Sequence, residues 1–115
     1  MAVVDVDRGL VLAVAALADN ALTRMVGLLG RAGLASGDGL VIRPCSLIHT
    51  FFMRFPIDVL FADRSGRVVA MIDSLQPYRL GWGGWRARQA IELPAGALRQ
   101  AGIAPGGRIS IEPVR

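Results

Sequence analysis

The segment Ile57-Asp58-Val59-Leu60-Phe61-Ala62, followed by Asp63-Arg64-Ser65-Gly66 and then Arg67-Val68-Val69-Ala70-Met71-Ile72, constrains the fold more than any other part of the chain. Two apolar runs rich in β-branched residues flank a four-residue turn whose glycine takes positive φ without strain. This spacing predicts an antiparallel hairpin. The rest of the chain is punctuated in the same way. Val3 to Asp7 alternates weakly and reads as a short edge strand. Leu10 to Leu17, Leu40 to Ile42, Ala90 to Leu93 and Arg108 to Glu112 are further strand candidates. Leu47 to Met53 reads as a strand with Leu47, His49, Phe51 and Met53 on one face and Ile48, Thr50 and Phe52 on the other. Phe55-Pro56 kinks it, because proline cannot donate to a ladder.

Helix signals are few. Asp19-Asn20 supplies an N-cap, Leu22, Met25, Val26 and Leu29 form one face, and Gly30 ends the helix. Pro94 opens a helical turn running to Gln100. Asp73 to Gln89 holds Pro77, Tyr78 and both tryptophans among three glycines, and reads as an ordered loop covering a sheet. Many short strands with one or two short helices indicate a mainly β fold, a small single-domain sandwich or barrel-like structure spanning residues 1–115.

Composition narrows the function classes. At 53% hydrophobic residues the chain has enough apolar surface for a core, and its single Cys excludes an internal disulfide. All 13 basic residues are arginine, against 9 acids, and they are dispersed from Arg8 to Arg115. A nucleic-acid footprint concentrates such charge, so nucleic acid is disfavoured as a partner. No segment has the roughly 20 apolar residues of a membrane span. Leu10 to Ala18 has the length of a signal-peptide core, but Asp5 and Asp7 outweigh Arg8 before it, so the chain is expected to be unprocessed and cytoplasmic.

Several blocks carry a family resemblance. They are Arg24-x-x-Gly27-Leu28-Leu29, Gly39-Leu40-Val41-Ile42, Cys45-x-x-x-His49-Thr50-Phe51-Phe52-Met53, Ile57-Asp58-Val59-Leu60-Phe61-Ala62-Asp63, Glu92-Leu93-Pro94-Ala95-Gly96 and Gly102-Ile103-x-x-Gly106-Gly107. Together they resemble the DUF192 (UPF0127) family over roughly residues 10 to 112. The resemblance implies a small, mostly β bacterial domain and no assigned activity. Many members carry an export signal or lipoprotein anchor, which adds a periplasmic location as the alternative.

The candidate chemistry gathers around the only His and the only Cys. His49, Met53, Asp58, Arg79, Trp82 and Glu92 are the candidate ligand-binding residues. They suggest a pocket floored by the strands from His49 to Asp58 and covered by the loop from Tyr78 to Trp85. The expected function is non-enzymatic binding of a small molecule or peptide, with no cofactor. A metal-dependent or acid–base enzyme using His49 and Asp58, with Cys45 or Glu92, is the first alternative. A nucleic-acid module built on Trp82, Trp85, Arg86 and Arg88 is the second. The bland reading gives His49 and Cys45 structural roles, and makes Asp58 and Glu92 internally paired carboxylates.

Overall fold

A computed structural model of the chain describes residues 1–18 and 37–114. The helix expected from Asp19 to Leu29 and the block around Arg24 and Gly27 lie outside the described residues. The strands are β1 (Ala2–Asp5), β2 (Leu10–Ala18), β3 (Asp38–Ile42), β4 (Leu47–His49), β5 (Ile57–Ala62), β6 (Val68–Leu75), β7 (Leu80–Trp82), β8 (Gln89–Pro94) and β9 (Ile109–Glu112). One helix, α1 (Ala97–Ala101), follows β8.

Seven strands form one mixed sheet in the order β6-β5-β8-β3-β2-β1-β9, with β2 and β3 parallel. The two ends of this sheet meet. Val68 N–H donates to Gly107 O (2.8 Å), Gly106 N–H to Val68 O (2.8 Å) and Ile109 N–H to Gly66 O (2.8 Å), beside a bridge between Arg67 and Arg108. The fold is therefore mainly β and barrel-like, which removes most of the exposed edge. Gly66 is required twice here. Its φ of 90° closes the β5–β6 turn, and a Cβ at this position would run into the Ile109 carbonyl. β1 lies inside the sheet between β2 and β9 rather than at its edge, because the C-terminal strand pairs beside it.

Alternation along each strand divides the core in two. Val3, Ala13, Ala15, Val41, Leu60, Ala62, Val68, Ile91, Leu93 and Ile109 point inward, where Leu98 of α1 joins them. Leu40, Ile42, Ile57, Val59, Phe61 and Ala90 point outward, and are covered by Ile48, Met53, Phe55 and Ala87. β5 is buried along all six residues because both of its faces are covered. This explains its unbroken apolar sequence.

Asp58 is the polar interruption in that strand. It is fully buried on the inward face, where Oδ1 accepts the Ser74 N–H (2.8 Å) and Oδ2 accepts the Leu98 N–H (3.0 Å). The β5–β6 register slips between Ile57 and Val59, and Ser74 sits in this bulge with φ 50°. At α1 the N-cap residue is Gly96, which makes no side-chain cap. Asp58 supplies that cap from 40 residues away. The helical turn expected to begin at Pro94 starts later, since Pro94 ends β8 and the chain turns at Gly96.

Replacing Asp58 with Ala leaves the buried Leu98 amide and the partly buried Ser74 amide without an acceptor. The expected loss is about 3 kcal/mol of stability, at roughly 1–3 kcal/mol per orphaned group. Asp58→Asn keeps one acceptor and is expected to lose less. Urea unfolding of the three proteins checks the order.

Candidate functional site

β4 and β7 form a separate two-stranded antiparallel ribbon, with Leu47 opposite Trp82, Ile48 opposite Gly81 and His49 opposite Leu80. Its inner face is Ile48 and Gly81. A Cβ on Gly81 would meet Ile72 Cδ1 at 2.9 Å and Leu75 Cδ2 at 3.2 Å, and one on Gly83 would enter the Phe61 ring. The glycines in this segment therefore set a close approach of the ribbon to the barrel. Asp73 to Gln89 is thus not all loop: β6 continues to Leu75, and Leu80–Trp82 pairs with β4.

Thr50 fixes the ribbon's open end. The residue is fully buried; its Oγ1 lies 2.6 Å from Gln76 O, to which it donates, and accepts the Arg79 N–H (2.9 Å). Its backbone N–H donates to Arg79 O (2.9 Å), and its carbonyl accepts the Tyr78 N–H (2.9 Å). One small side chain thereby joins two turns. Those turns hold Phe52 at φ 67° and Tyr78 at φ 61°, a conformation bulky side chains rarely adopt. The strand expected to reach Met53 stops at His49, because the chain turns through Phe51 and Phe52.

The outer face of the ribbon is apolar and exposed. Leu47, Leu80 and Trp82 are more than half exposed, at 55%, 62% and 53%. Around them stand Phe51, Phe52, Tyr78 and Trp85, the last 86% exposed. The rings are in mutual contact. Phe51 lies 5.2 Å from His49 and 6.4 Å from Tyr78 between centroids, Phe52 meets Tyr78 edge-on at 5.7 Å, and Trp82 meets Trp85 edge-on at 5.2 Å. His49 is half-buried in this face, and its Nδ1 accepts the Phe51 N–H (3.3 Å).

The six expected site residues separate into two groups. His49, Arg79 and Trp82 belong to the ribbon and its turn; Arg79 is exposed and bonds through Nη1 to Tyr78 O (3.3 Å). Met53, Asp58 and Glu92 are buried in the barrel. Met53 packs in the outer core instead of sharing a surface with His49, since the turn at Phe51 and Phe52 breaks the alternation. Asp58 and Glu92 lie on opposite faces of the sheet. Asp58 pairs with Leu93 on the inward side, whereas Glu92 pairs with Val59 and Leu40 on the outward side. The expected convergence of His49, Asp58 and Glu92 on one pocket is therefore not found. Cys45 bonds through Sγ to Leu47 O (3.4 Å). Among the described residues no three His, Cys, Asp or Glu side chains are grouped as metal ligands. Thr50, Phe51, Phe52 and Leu80 are site residues that the sequence did not single out. The exposed Phe51-Phe52 pair was the available signal.

The chain thus belongs to the small mainly β proteins with a barrel-like mixed sheet and a covering ribbon. It is a member of the DUF192 family, described as an uncharacterized ACR, whose model matches residues 3–111. Among solved structures it is similar to a protein of unknown function from Novosphingobium aromaticivorans, at 20% identity and TM-score 0.75, over 84% of this chain and 74% of that one. It is also similar to a protein from Sinorhizobium meliloti described as a candidate transcription regulator, at 20% identity and TM-score 0.77, over 95% of this chain and 89% of that one. At that identity the likeness establishes the fold alone. No curated protein matches the chain. No helix among the described residues is long and apolar enough to cross a membrane.

Thr50→Val keeps the shape and removes the hydroxyl that ties Gln76 and Arg79. It is expected to lower stability by about 1 kcal/mol, the usual net worth of a hydrogen bond, because the Gln76 carbonyl and Arg79 amide are only partly buried. Thr50→Ser should retain most of it, and thermal unfolding of the two variants distinguishes the hydroxyl from the methyl. A second expectation concerns pH. Asp63 is held below its ordinary pKa of 3.8 by the Ser65 hydroxyl first, opposed by desolvation, and then by the Arg67 and Ser65 amides and the Arg67 charge. A depressed pKa stabilises the fold above the ordinary value and loses that contribution as pH falls through the lowered one. Asp63→Asn should therefore flatten the acid side of the stability–pH curve and leave its shape above neutrality unchanged.

Proposed function

We propose that the chain is a non-enzymatic binding module, and that its binding surface is the outer face of the β4–β7 ribbon. One observation carries the reading: the outward side chains of this ribbon are large, apolar, clustered and exposed, although its inner face already satisfies the core. A contiguous exposed apolar patch marks an interaction site more often than chance surface. Aromatic anchors of this type dominate interface energetics.

The occupant is an extended apolar segment of a partner protein. Small-molecule sites bury most of their ligand within concave walls. Side chains 53–86% exposed, such as Trp82, Leu80 and Trp85, stand too far into solvent to form such walls. Exposed Arg54, Arg79 and Arg86 border the face, so carboxylates beside the apolar segment complement it. The positive φ at Phe52 and Tyr78 supports the same reading. Strain of this kind persists where surrounding structure holds it, and it concentrates at sites of recognition. The enzymatic alternative has less support, since both Asp58 oxygens are taken by backbone amides and the residue is sealed from solvent.

Trp82 and Trp85 are the only tryptophans, so their fluorescence reports on the face directly. A panel of extended peptides with apolar cores and acidic flanks is expected to shift that emission. Trp82→Ala combined with Leu80→Ala should weaken binding by at least about tenfold, since each is an exposed anchor. The unfolding midpoint should stay nearly unchanged. Self-association that rises with concentration, in place of peptide binding, would identify the occupant as a second copy. An unchanged affinity in the double variant would sink the proposal.

A further inference from the structure

The turn that closes the β5–β6 hairpin faces the chain between β7 and β8 across an open cleft of about 450 Å³, lined by Asp63, Arg64, Ser65, Arg86 and Arg88. Three guanidinium groups against one carboxylate leave this small surface at a net +2. Among the described residues none of these arginines forms an ion pair; the ion pair described is Arg8 with Asp5 at 3.8 Å. Arg88 is anchored. Its Nη1 donates to Trp85 O (2.8 Å) and Ala87 O (2.9 Å), which fixes the guanidinium and leaves Nε and Nη2 for another acceptor. Asp63 offsets only one of the three charges, and its Oδ1 is turned to its own turn, where it accepts the Ser65 N–H (2.9 Å), the Ser65 hydroxyl (2.8 Å) and the Arg67 N–H (2.9 Å).

A second recess adjoins the first and shares Arg64 and Ser65 with it. It measures about 180 Å³ and is also lined by Arg43, Gly66, Gln89, Ile109, Ser110 and Ile111. Gln89 is 9% exposed. Its Nε2 donates to Asp63 O (3.3 Å), which sets the orientation of the amide, and its buried Oε1 has no hydrogen-bond partner. A buried acceptor left unmade is costly. Gln89 lines the recess, so a donor bound there would satisfy Oε1 once the amide turns toward it.

We infer that these joined recesses form a site for a small phosphate ester carrying a hydroxyl or amine donor. The phosphate is held by Arg64, Arg86 and Arg88, and the donor reaches Gln89 Oε1. Guanidinium forks match phosphate oxygens in geometry as well as charge. Arg86 borders both the cleft and the β4–β7 face, but none of that face's apolar anchors lines the cleft, so the variants at Trp82 and Leu80 test the proposed function separately from this inference. The charge is confined to one cleft instead of forming a track along the molecule, which favours a small molecule over a nucleic-acid backbone.

The experiment is a calorimetric titration at low salt with glycerol 3-phosphate, inorganic phosphate, glycerol and a single-stranded oligonucleotide as probes. Glycerol 3-phosphate is expected to bind more tightly than inorganic phosphate, and glycerol not at all. Arg64 and Arg86 are exposed, so Arg64→Ala with Arg86→Ala should leave the fold intact and weaken the ester by at least about tenfold. Arg99→Ala on α1 should not change it. Equal affinity for phosphate and its ester would overturn the role given to Gln89. An unchanged affinity in the double variant, absence of binding, or tighter binding of the oligonucleotide with a steep salt dependence would overturn the site.

Discussion

The buried carboxylate of Asp58 joins three parts of the fold that nothing else in their local sequence would align. Ser74 lies in a bulge whose amide has left the β5–β6 ladder, and Leu98 lies at the start of a helix whose own cap residue is a glycine. The Leu98 N–H would otherwise be buried without a partner, and the Ser74 N–H would lose its acceptor at the bulge. Asp58 accepts both, one per oxygen. The bulge, the placement of α1 and the filling of the barrel interior by Leu98 all follow from one acidic side chain in an apolar strand. The charge is tolerated because both oxygens are bonded, and a carboxylate bonded to backbone amides is among the stronger hydrogen-bonded arrangements.

On the opposite side of β5, glycine performs the complementary task. The β4–β7 ribbon reaches the barrel because Gly81 and Gly83 have no side chain where Ile72, Leu75 and Phe61 need the space. Close packing of the inner face pushes every large side chain of β7 outward. Leu80 and Trp82 have nowhere else to go, since alternation sends them to the same face as Leu47 and His49. Exposure of these residues is thus a consequence of how the ribbon docks. An ordinary surface would relieve it with polar residues at those positions. This ribbon instead keeps aromatic and aliphatic side chains there, and Thr50 holds their turns in a strained conformation.

Much of the architecture was legible in local pattern. The hairpin of β5 and β6, the strands β2, β3, β8 and β9 and the mainly β class all follow from apolar period, turn residues and short run length. What was not legible depended on pairing between distant segments. Asp58 and Glu92 each look like a carboxylate in an apolar strand, and only the β5–β8 register shows that they face opposite ways. Met53 belonged with His49 only if the strand continued, and the turn that stops it is stabilised by Thr50 bonds to residues 26 and 29 positions away. β7 had no local signal, because a three-residue strand containing Gly81 owes its existence to β4.

The two surface features differ in what they require of the fold. The aromatic face depends on strained backbone and on the Thr50 hydroxyl, so it is sensitive to any loosening of the turns at 50–53 and 76–79. The arginine cleft rests on the tight Asp63–Arg67 turn, whose carboxylate gathers three donors, and on the Trp85 and Ala87 carbonyls that orient Arg88. Gly66 connects that turn to the barrel seam, since its carbonyl accepts the Ile109 N–H while its φ of 90° completes the hairpin. The cleft therefore shares its rigidity with the closure of the barrel, whereas the ribbon is a layer added to its outside. A disturbance of the ribbon's turns should reach the aromatic face first and leave the arginines in place. The two surfaces adjoin at Trp85 and Arg86 but are held by different parts of the fold, so one small domain presents both an apolar face and a cationic one.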